Sequence, residues 1–71
     1  GADPEFTMYY TNYGEKAEIT VTAQRVAGSS TEYLLGFRAP NAAGTFPIEI
    51  HYVTDGKESD EYLAASMKVS K

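Results

Sequence analysis

An alternation of period two limits this chain to extended structure more than any other feature. In AEITVTAQRV, residues 17 to 26, Ile19, Val21 and Ala23 alternate with Glu18, Thr20, Thr22 and Gln24. Successive side chains of a strand point to opposite faces, so this spacing gives one apolar and one polar face. TEYLLGFRA, 31 to 39, places Tyr33, Leu35 and Phe37 on one face and Leu34, Gly36 and Arg38 on the other. TFPIEIHYVT, 45 to 54, does the same with Phe46, Ile48, Ile50 and Tyr52 against Pro47, Glu49 and His51. Between these runs, AGSS at 27 to 30 and Pro40-Asn41-Ala42-Ala43-Gly44 have turn and loop chemistry. Pro47 lacks an N–H, which predicts a strand that begins at an edge or a bulge. Gly36, inside a strand, predicts a bulge or a close approach of another backbone.

Asp55-Gly56 is the strongest turn signal, because a two-residue type I′ hairpin needs positive φ at both central positions. If Thr54 and Lys57 flank that turn, Ile48 faces Leu63, Phe46 faces Ala65, His51 faces Asp60 and Glu49 faces Tyr62. The returning strand then points Leu63, Ala65, Met67 and Val69 inward, all of them apolar. The register leaves Glu61 opposite Ile50 on the inner side, a conflict that a longer TDGKESD loop removes. A rival reading turns residues 60–70 into a helix, with Ser59 as its cap, Asp60 and Glu61 at its positive end and Lys68 and Lys71 at its negative end. The alternation of 63, 65, 67 and 69 favours the strand.

The opening GADPEFT has neither periodicity nor a turn role. Asp3-Pro4-Glu5-Phe6 is what two adjoining restriction sites of a cloning vector encode, so residues 1–7 are expected to be a vector remnant and 8–71 a single small β domain. Leaving out Asp3 and Glu5 takes the ten acids to eight against six basic residues, and the formal charge from −4 to −2. The basic residues are spread singly, without the stripe that nucleic-acid binding requires, so no nucleic-acid partner is expected. No apolar run reaches the ~20 residues of a membrane-spanning helix, so no membrane insertion is expected. A domain of about 60 residues buries only about 60% of its unfolded surface, and such domains are usually supported by disulfides, a metal or a partner. The chain has no cysteine and one histidine, which removes disulfides and thiolate metal sites and leaves self-association or an adjoining domain. The absence of cysteine fits both a cytosolic protein and a surface module, so it leaves the compartment open.

The fold class these signals predict is all-β, a small antiparallel sandwich or partly open barrel of four or five strands, with an α+β fold carrying the C-terminal helix as the alternative. Met8–Thr11 supplies a further strand and Tyr13-Gly14-Glu15-Lys16 the bend after it. Three of six tyrosines, Tyr9, Tyr10 and Tyr13, fall in this stretch. One or two are expected to close over the core and the rest to form an exposed rim beside a strand edge, which is the expected partner-binding surface.

Catalytic, cofactor and metal sites are not expected. His51 reads as a surface cross-strand residue within reach of Asp60 and beside Glu49, without a nucleophile or a pocket. Asp55, Glu58, Asp60 and Glu61 do not match the spacing of a calcium loop, and Lys57 sits among them. Gly28, Gly44 and Gly56 read as turn residues and not as a phosphate cradle. The stretch GTFPIEIHYVTDGKESDEYLAASMKV resembles the closing hairpin of a bacterial immunoglobulin-like domain, although such domains usually run to ~100 residues. That resemblance implies a non-catalytic binding module of a larger bacterial surface or phage structural protein, with a protein or glycan partner. The alternative is a small phage or bacterial accessory protein, starting at Met8, that docks on a host enzyme and modulates it. A free strand edge also predicts a homodimer at high concentration.

Overall fold

The structure, a computed structural model, describes residues 5–70. It is all-β, with β1 Glu5–Asn12, β2 Glu15–Ile19, β3 Val21–Arg25, β4 Tyr33–Phe37, β5 Gly44–Thr54 and β6 Lys57–Val69. Two antiparallel sheets form: a four-stranded one in the order β2-β1-β5-β6 and a two-stranded one, β3-β4. They do not close into a barrel. The alternating run 17–26 is divided at Thr20 into β2 and β3, which belong to different sheets, so the strands outnumber the expected four or five. The segment 60–70 is strand and not helix: β6 runs thirteen residues without interruption.

Hairpin chemistry sets the connections. Asp55 and Gly56 have φ of 54° and 76°, the paired left-handed conformation expected of Asp-Gly, and Thr54 pairs with Lys57. Tyr13 and Gly14, at 51° and 79°, make a second such turn between β1 and β2, with Asn12 facing Glu15. The β3–β4 connection is held by the Val26 N–H donating to Glu32 O at 3.0 Å and by the Ser29 hydroxyl accepting from the N–H groups of Thr31 and Glu32. Gly36 sits in an unbroken ladder, not a bulge. A Cβ there would lie 3.0 Å from the hydroxyl of Thr22, which donates to the Gly36 carbonyl.

The β5–β6 register departs from the expected one in a single place. Val53 pairs with Glu58, but the next pair is His51 with Tyr62, so three residues of β6 oppose Tyr52 alone. The slip is two residues. Ile48 therefore faces Ala65, Phe46 faces Met67, Glu49 faces Ala64 and Ile50 faces Leu63, which removes the clash between Glu61 and Ile50. A slip of two, unlike a slip of one, returns every later side chain to the face it would have had.

One face of the large sheet builds the core, from Met8, Ile19, Phe46, Ile48 and Met67. Tyr10, Val21, Ala42, Ile50 and Val69 pack around it. Pro47 lies one residue past the last β1–β5 pair, Tyr10 with Ile48, where no β1 neighbour needs its N–H. The small sheet packs through β3 onto β1, and the core takes in Met67 and Val69 of β6 but not Leu63 or Ala65. Leu63, expected inside, is 60% exposed. The radius of gyration of 13.0 Å exceeds the ~11 Å of a compact chain of this length, as a half-covered sheet requires. Glu5, Phe6 and Thr7, expected to belong to the vector remnant, extend β1 and pair with Val53, Tyr52 and His51. Ladder bonds are made by backbone, so a preceding segment of any origin can lengthen a strand that already has a neighbour. Gly1–Pro4 and Lys71 lie outside the described residues.

Candidate functional site

The opposite face of the large sheet, expected to be solvated, carries a belt of polar and aromatic side chains from all four strands. Tyr9 on β1 pairs with Glu18 on β2 and Glu49 on β5, which puts the three on this face. Lys16 Nζ lies 2.7 Å from Glu49 Oε2. The other oxygen of Glu49 faces His51 Nε2 at 3.1 Å, and His51 Nδ1 faces the Ser59 carbonyl at 3.0 Å. Tyr9 donates its hydroxyl to Glu58 Oε2 at 3.1 Å and sets its ring edge-on to His51. Tyr62 covers His51 from the β6 side, with ring centroids 4.9 Å apart.

His51 was expected on the surface near Asp60; it is 9% exposed and bonded elsewhere. The two-residue slip is the cause, because it moves Tyr62 opposite His51 and brings the Ser59 carbonyl onto its ring. Ser59 holds the slip in place: its hydroxyl accepts from the Tyr52 N–H and donates to Glu61 O at 2.6 Å. Both ring nitrogens of His51 face acceptors, a carbonyl and a carboxylate, and only the imidazolium can donate to both. The Ser59 carbonyl first, and then the Glu49 carboxylate and the Glu58 charge, raise His51 above its usual value against the opposing effect of burial. Glu49 is lowered, chiefly by Lys16 and then by His51, while Lys16 is raised by Glu49. Tyr9 is raised by its bond to Glu58. Glu58 Oε1 is buried without a hydrogen-bond partner among the described residues.

Chemically, the belt is a set of groups that satisfy one another, Glu58 Oε1 excepted. His51 has both nitrogens engaged and aromatic rings from β1 and β6 beside it. Among the described residues no three His, Asp or Glu side chains converge as metal ligands would. No described helix is long and apolar enough to cross a membrane.

The three expected partner-binding residues are not brought together. β1 lies between β2 and β5, so the Tyr9–Tyr10 stretch is not at a sheet edge. Tyr9 belongs to the belt. Tyr10 turns to the core face and packs edge-on to Phe46, with ring centroids 5.8 Å apart. Tyr13 alone is fully open, 100% exposed at the tip of the first hairpin. Sequence reasoning missed the surface that is at an edge. On β6, Tyr62 is 49% exposed on the belt face and Leu63 is open on the core face. Alternation could assign these residues to faces, but not show that the core stops short of them. Comparison with protein-family models, with curated protein sequences and with solved structures gives no match.

Proposed function

We propose that the chain is a non-catalytic β-fold interaction module that takes up a strand of a protein partner along β6, with Tyr62 as an aromatic contact on that edge and Tyr13, at the tip of the first hairpin, as a separate contact with the partner's body. The observation that carries this reading is the distribution of large apolar side chains. Among the described residues seven are exposed, Tyr13, Val26, Leu34, Phe37, Tyr52, Tyr62 and Leu63, against five buried in the core. Scattered apolar exposure is ordinary, but here Tyr62 and Leu63 flank the longest strand of the molecule, and that strand is a sheet edge. Strand addition joins main-chain hydrogen bonds along such an edge with side-chain contacts on alternate faces. Tyr13 adds a second observation. A tyrosine at positive φ is conformationally costly, and its ring, being fully exposed, gains nothing in the fold to offset that cost. Binding would account for its presence.

The resemblance of the β5–β6 hairpin to the closing hairpin of bacterial immunoglobulin-like domains supports a place among the modules of larger surface or phage structural proteins. Immobilised protein exposed to an extract of its source cells tests the contact. Tyr13→Ser and Ala64→Lys are expected to lose the captured partner while melting as the parent does. Capture that is undiminished in both variants refutes the proposed surface.

A further inference from the structure

We propose that the β6 edge pairs with the β6 edge of a second copy, antiparallel about a two-fold axis through Ala64. This rests on the reading of β6 as a strand-accepting edge and names its first occupant. Edges are normally guarded by charge, proline, bulges or shortness. β2, the other edge of the large sheet, carries Glu15, Lys16 and Glu18 within five residues. β3 and β4 are five residues each. The first part of β6, Lys57–Glu61, is bulged and charged. From Tyr62 to Met67 it has no charge and no proline, and its ladder to β5 is regular as far as Val69.

The sequence of that edge complements itself. In a two-fold antiparallel pair, opposite residues share a face, so the axis must pass through a residue opposed to its own copy. With the axis at Ala64, Leu63 on the core face meets the partner's Ala65, and Ala65 meets the partner's Leu63. On the belt face Tyr62 meets the partner's Ser66. Leu63 and Tyr62 are therefore each opposed by a small side chain, Met67 lies opposite the partner's Glu61 where the bulge begins, and the axis itself is lined by alanine. At both ends Asp60, in the bulge just past the regular ladder, comes opposite the partner's Lys68, an opposite-charge contact that flanks the paired stretch. Shifting the axis to Leu63 sets leucine against leucine and puts Lys68 opposite Glu58, which already accepts the Tyr9 hydroxyl. Shifting it to Ala65 sets Lys68 against Tyr62. Of the three, the Ala64 axis is the one that joins complementary size at Leu63 and Tyr62 with complementary charge at Asp60, at the cost of the Glu61–Met67 pair at its margin. The pair is closed, because each copy spends its unguarded edge on the other.

Sedimentation equilibrium from micromolar to millimolar concentration tests this with the protein as it stands. The expected result is a monomer–dimer equilibrium without higher species. Ala64→Lys sets like charges opposite each other at the axis and is expected to weaken dimerisation by about tenfold or more. Asp60→Lys alone and Lys68→Glu alone weaken it as well, and the double variant restores it, which a folding defect would not allow. A monomer at millimolar concentration overturns the proposal, as do an open ladder of oligomers and a dimer indifferent to these changes. A monomer that still captures a host protein through β6 sinks only the self-pairing and leaves the interaction-module reading standing.

Discussion

Replacing Tyr13 by asparagine should stabilise the fold, and the size of the gain follows from one dihedral angle and one exposure. Tyr13 has φ of 51° at the first central position of its turn and is followed by Gly14 at 79°. The left-handed region costs an L-residue about 1–2 kcal/mol, and asparagine is among the residues that enter it most readily. Asn-Gly is also the preferred pair for this turn. The ring is fully exposed, so little packing is lost with it. A gain of about 0.5–1 kcal/mol is expected, and in a domain of this size that raises Tm by about 2–8 °C. Gly14→Ala in the same turn supplies the opposite sign. An added Cβ meets nothing within 4 Å there, so its penalty of about 1 kcal/mol is purely conformational. Thermal melts by far-ultraviolet circular dichroism read both changes. A lower Tm for Tyr13→Asn would mean that the ring is held in the folded state, and would undo the reasoning that assigns it to binding.

Stability should peak between about pH 4.5 and 6.5. The contribution of His51, whose folded value lies above its usual 6.5, is complete below that pH and is lost as pH rises through the folded value. That of Glu49, lowered from its usual 4.5, is present above that pH and is lost as pH falls through the folded value. Melts across pH check this: His51→Gln should flatten the alkaline limb, and a parent curve still rising above pH 7 contradicts it. Met8→Ala should cost about 2–5 kcal/mol, enough to unfold a marginal domain, since Met8 is the most deeply buried side chain of the core. Tyr10→Ser should lower Tm through lost packing on Phe46, whereas Tyr13→Ser should not, a difference that equal melts would refute. Removing residues 1–7 should lower Tm and raise near-ultraviolet signs of tyrosine mobility, because Phe6 packs on Tyr33 and Tyr52 with ring centroids 5.6 and 5.3 Å away. An unchanged melt would show that this packing contributes nothing.

The β content, the Asp55-Gly56 hairpin and the faces taken by the side chains of β5 and β6 were legible because each depends on neighbours in sequence or on strict alternation, although Tyr52, Leu63 and Ala65, expected inside, are exposed. Phe46, Ile48 and Met67 lie in the core as their parity requires. Whatever depends on which strand lies beside which was not legible. Tyr9 and Tyr10 read as residues near an edge because nothing local tells an edge strand from an interior one, and pairing with β5 makes β1 interior. Thr20 carries no breaker signature, yet the chain leaves one sheet for the other there. His51 looked solvated because its burial comes from Tyr9 and Tyr62, the second set opposite it by a slip that Ser59 stabilises through its side chain. The serine, two residues past the turn flank and followed by two acids, was the signal available, and it equally suited a helix cap.

That slip ties the two faces of the molecule to different tasks. An even-numbered insertion keeps Leu63, Ala65, Met67 and Val69 on the core face, so the register after Tyr62 is as regular as if no bulge existed. The extra residues are absorbed between Val53 and His51, where Ser59 turns its carbonyl to the imidazole and its hydroxyl to the Tyr52 N–H. The bulged half of β6 thereby becomes a charged, hydrogen-bonded part of the folded belt and is poorly shaped for adding another strand. The regular half keeps small, uncharged residues and an unmet row of backbone groups. Folding stability therefore depends on the bulged segment and association chiefly on the regular one, with Asp60 as the bulge's contribution to the pair. Substitutions at Ser59, Glu58 or His51 act on the belt, while those at Ala64 or Lys68 act on the edge.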